Sequence, residues 1–177
     1  MAHGIINLDA VAAQANPAFN RNAIGAADLD NGSVFQLLTK SADADKTEVW
    51  VATAPASTTG LQNLWMAYEP VQVLTASKYL NLDIDPRNFV NLTGRVFSAF
   101  KPAVADLITL TTDVITGSTG SYAFAVATAA DYKLNSAAAA VSGLSLKKVA
   151  TSYISIGTGS IDAQRTVAYQ FEVVAIA

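Results

Sequence analysis

The chain has 177 residues and a mass of 18.5 kDa, enough for one domain with a core of its own. Only 14% of its residues are charged, against roughly a quarter in an ordinary soluble domain, while 33 alanines and a mean hydropathy of +0.31 take up the difference. A net charge of −3, a pI near 4.9, one histidine and no cysteine exclude disulfides, thiolate metal sites and a cysteine nucleophile, and give no basic surface for nucleic acid.

The uncharged stretch Val114–Ala130 contains Gly117, Ser118, Thr119, Gly120 and Ser121, too polar and glycine-rich to span a bilayer. No membrane segment is therefore expected. Absence of cysteine fits folding in a reducing compartment, and the opening Met1–Asp9 lacks the basic region and long apolar run of a signal peptide. A soluble chain so poor in charge has few residues with which to cover an isolated surface. That points to an exterior buried largely against other subunits, hence to a structural protein.

Residues 1–22 read as an N-terminal arm. Leu8, Val11, Ala12 and Ala15 follow helical spacing behind a possible Asn7 cap, and Pro17 ends the run. Such a stretch is too short to form a stable helix alone. The expectation is an arm that orders on a partner through Ile5, Leu8, Val11 and Phe19, so that its removal leaves the thermal midpoint nearly unchanged.

From Ala23 onward the rhythm is period two. Asp30-Asn31-Gly32-Ser33 reads as a tight turn, followed by a strand at Val34–Leu38. Glu48–Thr53, Leu64–Tyr68, Val71–Leu74 and Tyr79–Ile84 read as further strands, with a Ser/Thr/Gly loop at Pro55–Gly60. Beyond them come Arg95–Phe100, Leu107–Ile115, Tyr122–Val126, and a final pair, Lys148–Ile156 and Val167–Ile176, around the Gly157–Ser160 loop. The Ala137–Ala140 run, crowded by Asn135, Ser136 and Gly143, reads as a loop or short helix. Many short strands separated by turns predict an all-β fold, a small β-barrel or sandwich with an extended N-terminal arm. A single β domain is expected over 23–177, with residues 23–85 as a first strand region and 86–177 as a barrel-like half. Val167, Tyr169, Phe171 and Val173 are expected to face the core with Phe97, Ile108, Leu110 and Phe124.

No catalytic, cofactor or metal constellation emerges from the spacing of residues. His3 lies in the arm, where a Ser–His–Asp triad would have no packed scaffold. One histidine without cysteine leaves too few ligands for zinc of the usual type. Asp83-x-Asp85 and Asp43-x-Asp45-x-x-Glu48 lack EF-hand spacing and its central glycine, and read as solvated loop carboxylates. Gly157-x-Gly159 is a hairpin loop rather than a dinucleotide motif. Lys147-Lys148 is too small a basic cluster to hold nucleic acid. Trp50, Trp65 and Tyr68 could form a sugar platform only if exposed together on one face; core packing is the stronger reading for tryptophans within alternating strands.

The segment Asn88-Phe89-Val90-Asn91-Leu92-Thr93-Gly94-Arg95-Val96-Phe97-Ser98-Ala99-Phe100-Lys101-Pro102, running into Val104-Ala105-Asp106-Leu107-Ile108-Thr109-Leu110, resembles the capsid decoration, or cement, proteins of tailed bacteriophages. In that group an apolar strand after a Gly-Arg pair, then a turn closing on an Asp, opens a small β-barrel. Tyr132-Lys133-Leu134-Asn135 and Leu146-Lys147-Lys148-Val149 continue the likeness, which covers about residues 86–177, with a looser echo in the arm and the Asn31-Gly32-Ser33-Val34 turn. The resemblance implies a non-enzymatic virion protein on the capsid exterior, made in the host cytoplasm. Its partners would be the major capsid protein and further copies of itself, and it brings no catalytic residues. A tail or head-fibre component, or a carbohydrate-binding β module, is the alternative.

Overall fold

The computed structural model describes residues 3–56, 61, 63–69, 86–117, 123–156 and 164–175. The strands expected at Val71–Leu74 and Tyr79–Ile84 and the Gly157–Ser160 loop lie outside the described residues, as does part of the Pro55–Gly60 loop. The chain is all-β, with two sheets.

The first sheet is a closed ring of five short strands: β2 (Asn20–Gly25), β3 (Val34–Lys40), β4 (Trp50–Thr53), β5 (Leu64–Ala67) and β6 (Val96–Phe100), in the order β2-β4-β3-β5-β6. β2 and β4 run parallel, and the other four contacts are antiparallel. The second is an open seven-stranded sheet of β1 (Ile6–Ala10), β7 (Leu107–Thr111), β8 (Ile115–Thr116), β9 (Phe124–Ala127), β10 (Leu134–Ala137), β11 (Ser145–Ile156) and β12 (Gln164–Ala175). Its order is β1-β7-β12-β11-β9-β10-β8. The closed ring thus spans residues 20–100 rather than the 86–177 half. The boundary expected between residues 22 and 23 falls inside β2.

Side-chain alternation explains why the two sheets pack as one body. In the ring, Ala23, Phe35, Leu37, Ala52, Trp65, Ala67, Phe97 and Ala99 form one cluster. A five-stranded ring is narrow, and a mix of alanines and aromatics suits its small interior; Phe35 and Phe97 meet edge to face at 5.7 Å. The intervening residues Val34, Leu64, Met66 and Phe100 join a second cluster with Ile6, Ile108, Leu110, Leu134, Leu146, Phe171 and Val173 of the open sheet. β5 is therefore buried at all four positions. It faces the ring interior with Trp65 and Ala67 and the inter-sheet layer with Leu64 and Met66.

The arm differs from expectation. The helical part is short, an α-turn at Ala12–Ala15 followed by a 3-10 turn at Pro17–Phe19, and Leu8 sits in β1, which pairs antiparallel with β7 at the sheet edge. Ile6, Val11 and Ala13 belong to the inter-sheet core. An isolated apolar stripe is too small to fold, but edge pairing lets the same residues share the core of the sheet. The Asp106 carboxylate fixes the junction, accepting from the Ala12 and Ala103 N–H groups, both at 2.8 Å.

The final strand keeps part of its expected face. Phe171 and Val173 are fully buried and Tyr169 packs beside them, but Val167 is exposed. Phe124 is only half-buried, and Phe97 lies in the ring interior rather than with Ile108 and Leu110. β12 runs past the ring-covered part of the sheet, so its face changes from covered to open along its length. On the opposite face Ile5, Ile154, Ile156 and Ala168 form a third, smaller cluster.

Candidate functional site

The four arm residues expected to meet a partner are distributed rather than gathered. Ile5 is buried behind the sheet with Ile154, Ile156 and Ala168. Val11 is buried between the sheets, where Leu8 and Phe19 pack against the same cluster while staying half-buried. Leu8 and Phe19 are thus the two of the four that keep apolar surface open.

His3 is held, not loose. Its N–H donates to the Arg87 carbonyl at 2.7 Å, and Nδ1 lies 2.7 Å from Asp30 Oδ1. Lys133 stands 3.9 Å from the other Asp30 oxygen and donates to the Asp113 carbonyl at 2.7 Å. This His–Asp pair ties the N-terminus to the turn before β3. Among the described residues no hydroxyl hydrogen-bonds to His3, so the pair has the orienting acid of a triad without its nucleophile.

The acidic run at 43–48 is tied to lysines. Asp43 accepts from the Asp45 N–H at 3.1 Å and pairs with Lys46 at 3.1 Å. Glu48 pairs with Lys40 at 2.9 Å. The Asp45 N–H first, then Lys46, hold the Asp43 carboxyl below its usual range. No group of three metal-capable side chains occurs among the described residues; Asp83 and Asp85 lie outside them. No helix among the described residues is long and apolar enough to cross a membrane.

The aromatic residues do not make one platform. Trp65 is 7% exposed inside the ring, with the Arg21 guanidinium 5.5 Å from its centre. Trp50 packs against the ring cluster with Lys40 6.0 Å above it. Tyr68 packs instead against the inter-sheet cluster. Tyr68, but neither tryptophan, lines an open cleft of about 480 Å³ together with Asn20, Arg21, Asn22, Glu48, Ser98 and Ala99. Arg21 donates to the Ala18 and Asn20 carbonyls at 3.3 and 2.8 Å, which fixes it over Trp65. The cleft offers amide, guanidinium and phenol groups suited to hydrogen bonding. Sequence reading missed it because Asn20-Arg21-Asn22 reads as an irregular lead-in; only ring closure by β2 against β6 brings that run beside Tyr68 and Ser98.

The remaining surface is dotted with apolar side chains. Leu38, Val96, Val104, Val141, Val149, Tyr153 and Val167 are all exposed, and the last three lie on the long β11–β12 hairpin. Compared with protein-family models, curated proteins and solved structures, the chain matches none.

Proposed function

We propose that this chain is a structural virion protein that binds the outer surface of a bacteriophage capsid and stabilises the shell by bridging capsomers. The observation that carries the reading is the Asn88–Leu110 segment with its likeness to phage decoration proteins. In the fold that segment closes the ring through β6, turns on Asp106 and enters the open sheet as β7. The low charge fraction and the exposed aliphatic side chains add support, because apolar surface left open on one chain is surface available to another.

On this reading the partners are the major capsid protein and further copies of the chain at the capsid exterior, after synthesis in the host cytoplasm. The half-buried Leu8 and Phe19 contribute to the contact. Binding to an assembled lattice but not to free capsid subunits stabilises the lattice by mass action. Contacts reaching two capsomers at once strengthen that effect through effective concentration. The protein does no chemistry in this role.

Quantitative mass spectrometry of purified particles tests the reading. Copies of this chain should run to many tens per particle when scaled to the major capsid protein. Because the contact is chiefly apolar, raising the salt should leave the protein bound, and particles lacking it should release DNA at lower temperature. A handful of copies per particle would point instead to a tail or head-fibre component and overturn the proposal, as would equal robustness of particles without it.

A further inference from the structure

The sequence contains one Asn-Gly pair, Asn31-Gly32. Such a pair is chemically weak. With no Cβ on the following residue to obstruct it, the glycine nitrogen can reach the side-chain carbonyl carbon of the asparagine and displace ammonia. Water then opens the resulting succinimide to aspartate or isoaspartate. The reaction needs three freedoms: the glycine N–H must give up its proton, the asparagine amide must swing towards it, and water must enter.

The fold withholds all three. Asn31 is 5% exposed and Gly32 is buried beside it. The Gly32 N–H donates to the Ala67 carbonyl at 2.8 Å. The Asn31 amide is held at both ends. Its Nδ2 donates to the Glu69 carbonyl at 2.9 Å, and its Oδ1 accepts from the Glu69 N–H at 3.0 Å and from Asn91 Nδ2 at 3.1 Å. Asn91 is buried too, and its Nδ2 also donates to the Leu29 carbonyl at 3.0 Å. All three bonds to Asn31 must break before its side chain can turn. The structure depends on both residues of the weak pair: Gly32 takes a φ of +91° against Leu110 and Val114, and Asn31 uses both its donor and its acceptor.

We propose that Asn31 is a latent deamidation site, shut by the folded turn and exposed when β5 leaves it, and that its conversion makes opening of the ring irreversible. In the opened chain the Gly32 nitrogen loses its proton and bonds to Asn31 Cγ. The Cγ–Nδ2 bond breaks, and Nδ2 leaves with a proton as ammonia. Water adds at one of the two succinimide carbonyls. Neither product fits the turn. Aspartate puts a carboxylate oxygen where Nδ2 donated, so two acceptors face each other and a charge is buried without a partner. Isoaspartate carries the main chain through the side-chain carbon and lengthens the turn by one atom. The Gly32 bond to Ala67 and the 3.0 Å bond from the Ser33 N–H to the Asp30 carbonyl then cannot form together. Chemical change in the open form thus drains the folding equilibrium. The inference does not depend on any role at a capsid.

The full chain is held at mildly alkaline pH, folded and in guanidinium chloride, at one temperature. Peptide mass spectrometry follows residue 31 by the mass gained when NH is replaced by O, with isoaspartate resolved by chromatography. Conversion should be more than about tenfold slower in the folded chain, because reaction through an opened state scales with the population of that state. Chains diluted out of denaturant should recover the native dichroism in proportion to the Asn31 left intact. Asn31→Asp, which presents the aspartate product without the reaction, should have a lower thermal midpoint at neutral pH. Equal rates in the folded and denatured chain overturn the proposal. So do converted chains that refold to the parent's midpoint, or an Asn31→Asp chain that matches it. Should Asn31→Asp fail to fold, the refolding yield of the converted parent decides alone.

Discussion

Asp106 is 4% exposed and uses both carboxylate oxygens on backbone N–H groups, one from the arm and one from its own turn. Removing it takes the partner from the half-buried Ala12 and Ala103 N–H groups, at up to about 1–3 kcal/mol for each. Asp106→Ala should therefore lower the denaturant midpoint and speed amide exchange in β1 ahead of β12. Uniform loss of protection would show that the carboxylate does not anchor the arm. Gly32 is a second sensitive position: its φ is +91° and an added Cβ would meet Leu110 at 3.1 Å and Val114 at 3.3 Å. Gly32→Ala combines backbone strain with crowding in the inter-sheet core and should cost about 1–3 kcal/mol, read as a lower midpoint at constant m-value. Asp43 shows the opposite case, a surface cap. Its carboxyl is held below the usual carboxylate range by the Asp45 N–H and Lys46. Any stability it adds is therefore present above about pH 4, the unfolded value, and lost as pH falls through the lower folded value. Lys46→Ala should raise the Asp43 titration midpoint followed by NMR; an unchanged midpoint would remove Lys46 as a cause.

At the scale of elements, the arm gives the clearest test. β1 pairs with β7 from Ile6 to Ala10, and Ile6, Val11 and Ala13 sit in the inter-sheet core. Deleting residues 1–15 should lower the thermal midpoint substantially, reversing the sequence expectation, and an unchanged midpoint would restore the picture of a loose arm. The arm was hard to read because Leu8, Val11, Ala12 and Ala15 satisfy helical spacing, while the strand partner of Ile6–Ala10 lies about a hundred residues away. The same limit hid the ring. Period-two runs such as Val34–Leu38 and Arg95–Phe100 announce strands, but closure depends on β2 running parallel to β4 and antiparallel to β6, which no local pattern encodes. Local chemistry was legible where it decides the structure by itself. The Asp30–Ser33 turn closes with a Ser33 N–H to Asp30 carbonyl bond of 3.0 Å, and the β11–β12 pair follows its two apolar runs. Of the surface features, the cleft at Asn20–Asn22 arises from which strands become neighbours, and no local pattern announces it.

The whole molecule unfolds as one unit if the inter-sheet core is what joins it. Val34, Leu64, Met66 and Phe100 from the ring interlock with Ile108, Leu110, Phe171 and Val173 from the open sheet, so neither sheet can open without exposing the other's apolar face. β5 is decisive here, since it has no solvent face in either direction. Both tryptophans, Trp50 and Trp65, lie in the ring, so their fluorescence reports the ring alone while far-ultraviolet circular dichroism reports both sheets. Phe171, on β12 and fully buried, touches the ring only through the shared core. Phe171→Ala should cost about 3–5 kcal/mol, at about 2–4 °C per kcal/mol for a chain of this size. The tryptophan signal should fall by the same number of degrees as the dichroism, even though the substitution lies in the other sheet. Phe35→Ala, inside the ring against Phe97, should likewise move both probes together. If Phe171→Ala leaves the tryptophan midpoint at the parent value while the dichroism splits into two transitions, the sheets are separate cooperative units and the shared core does not couple them.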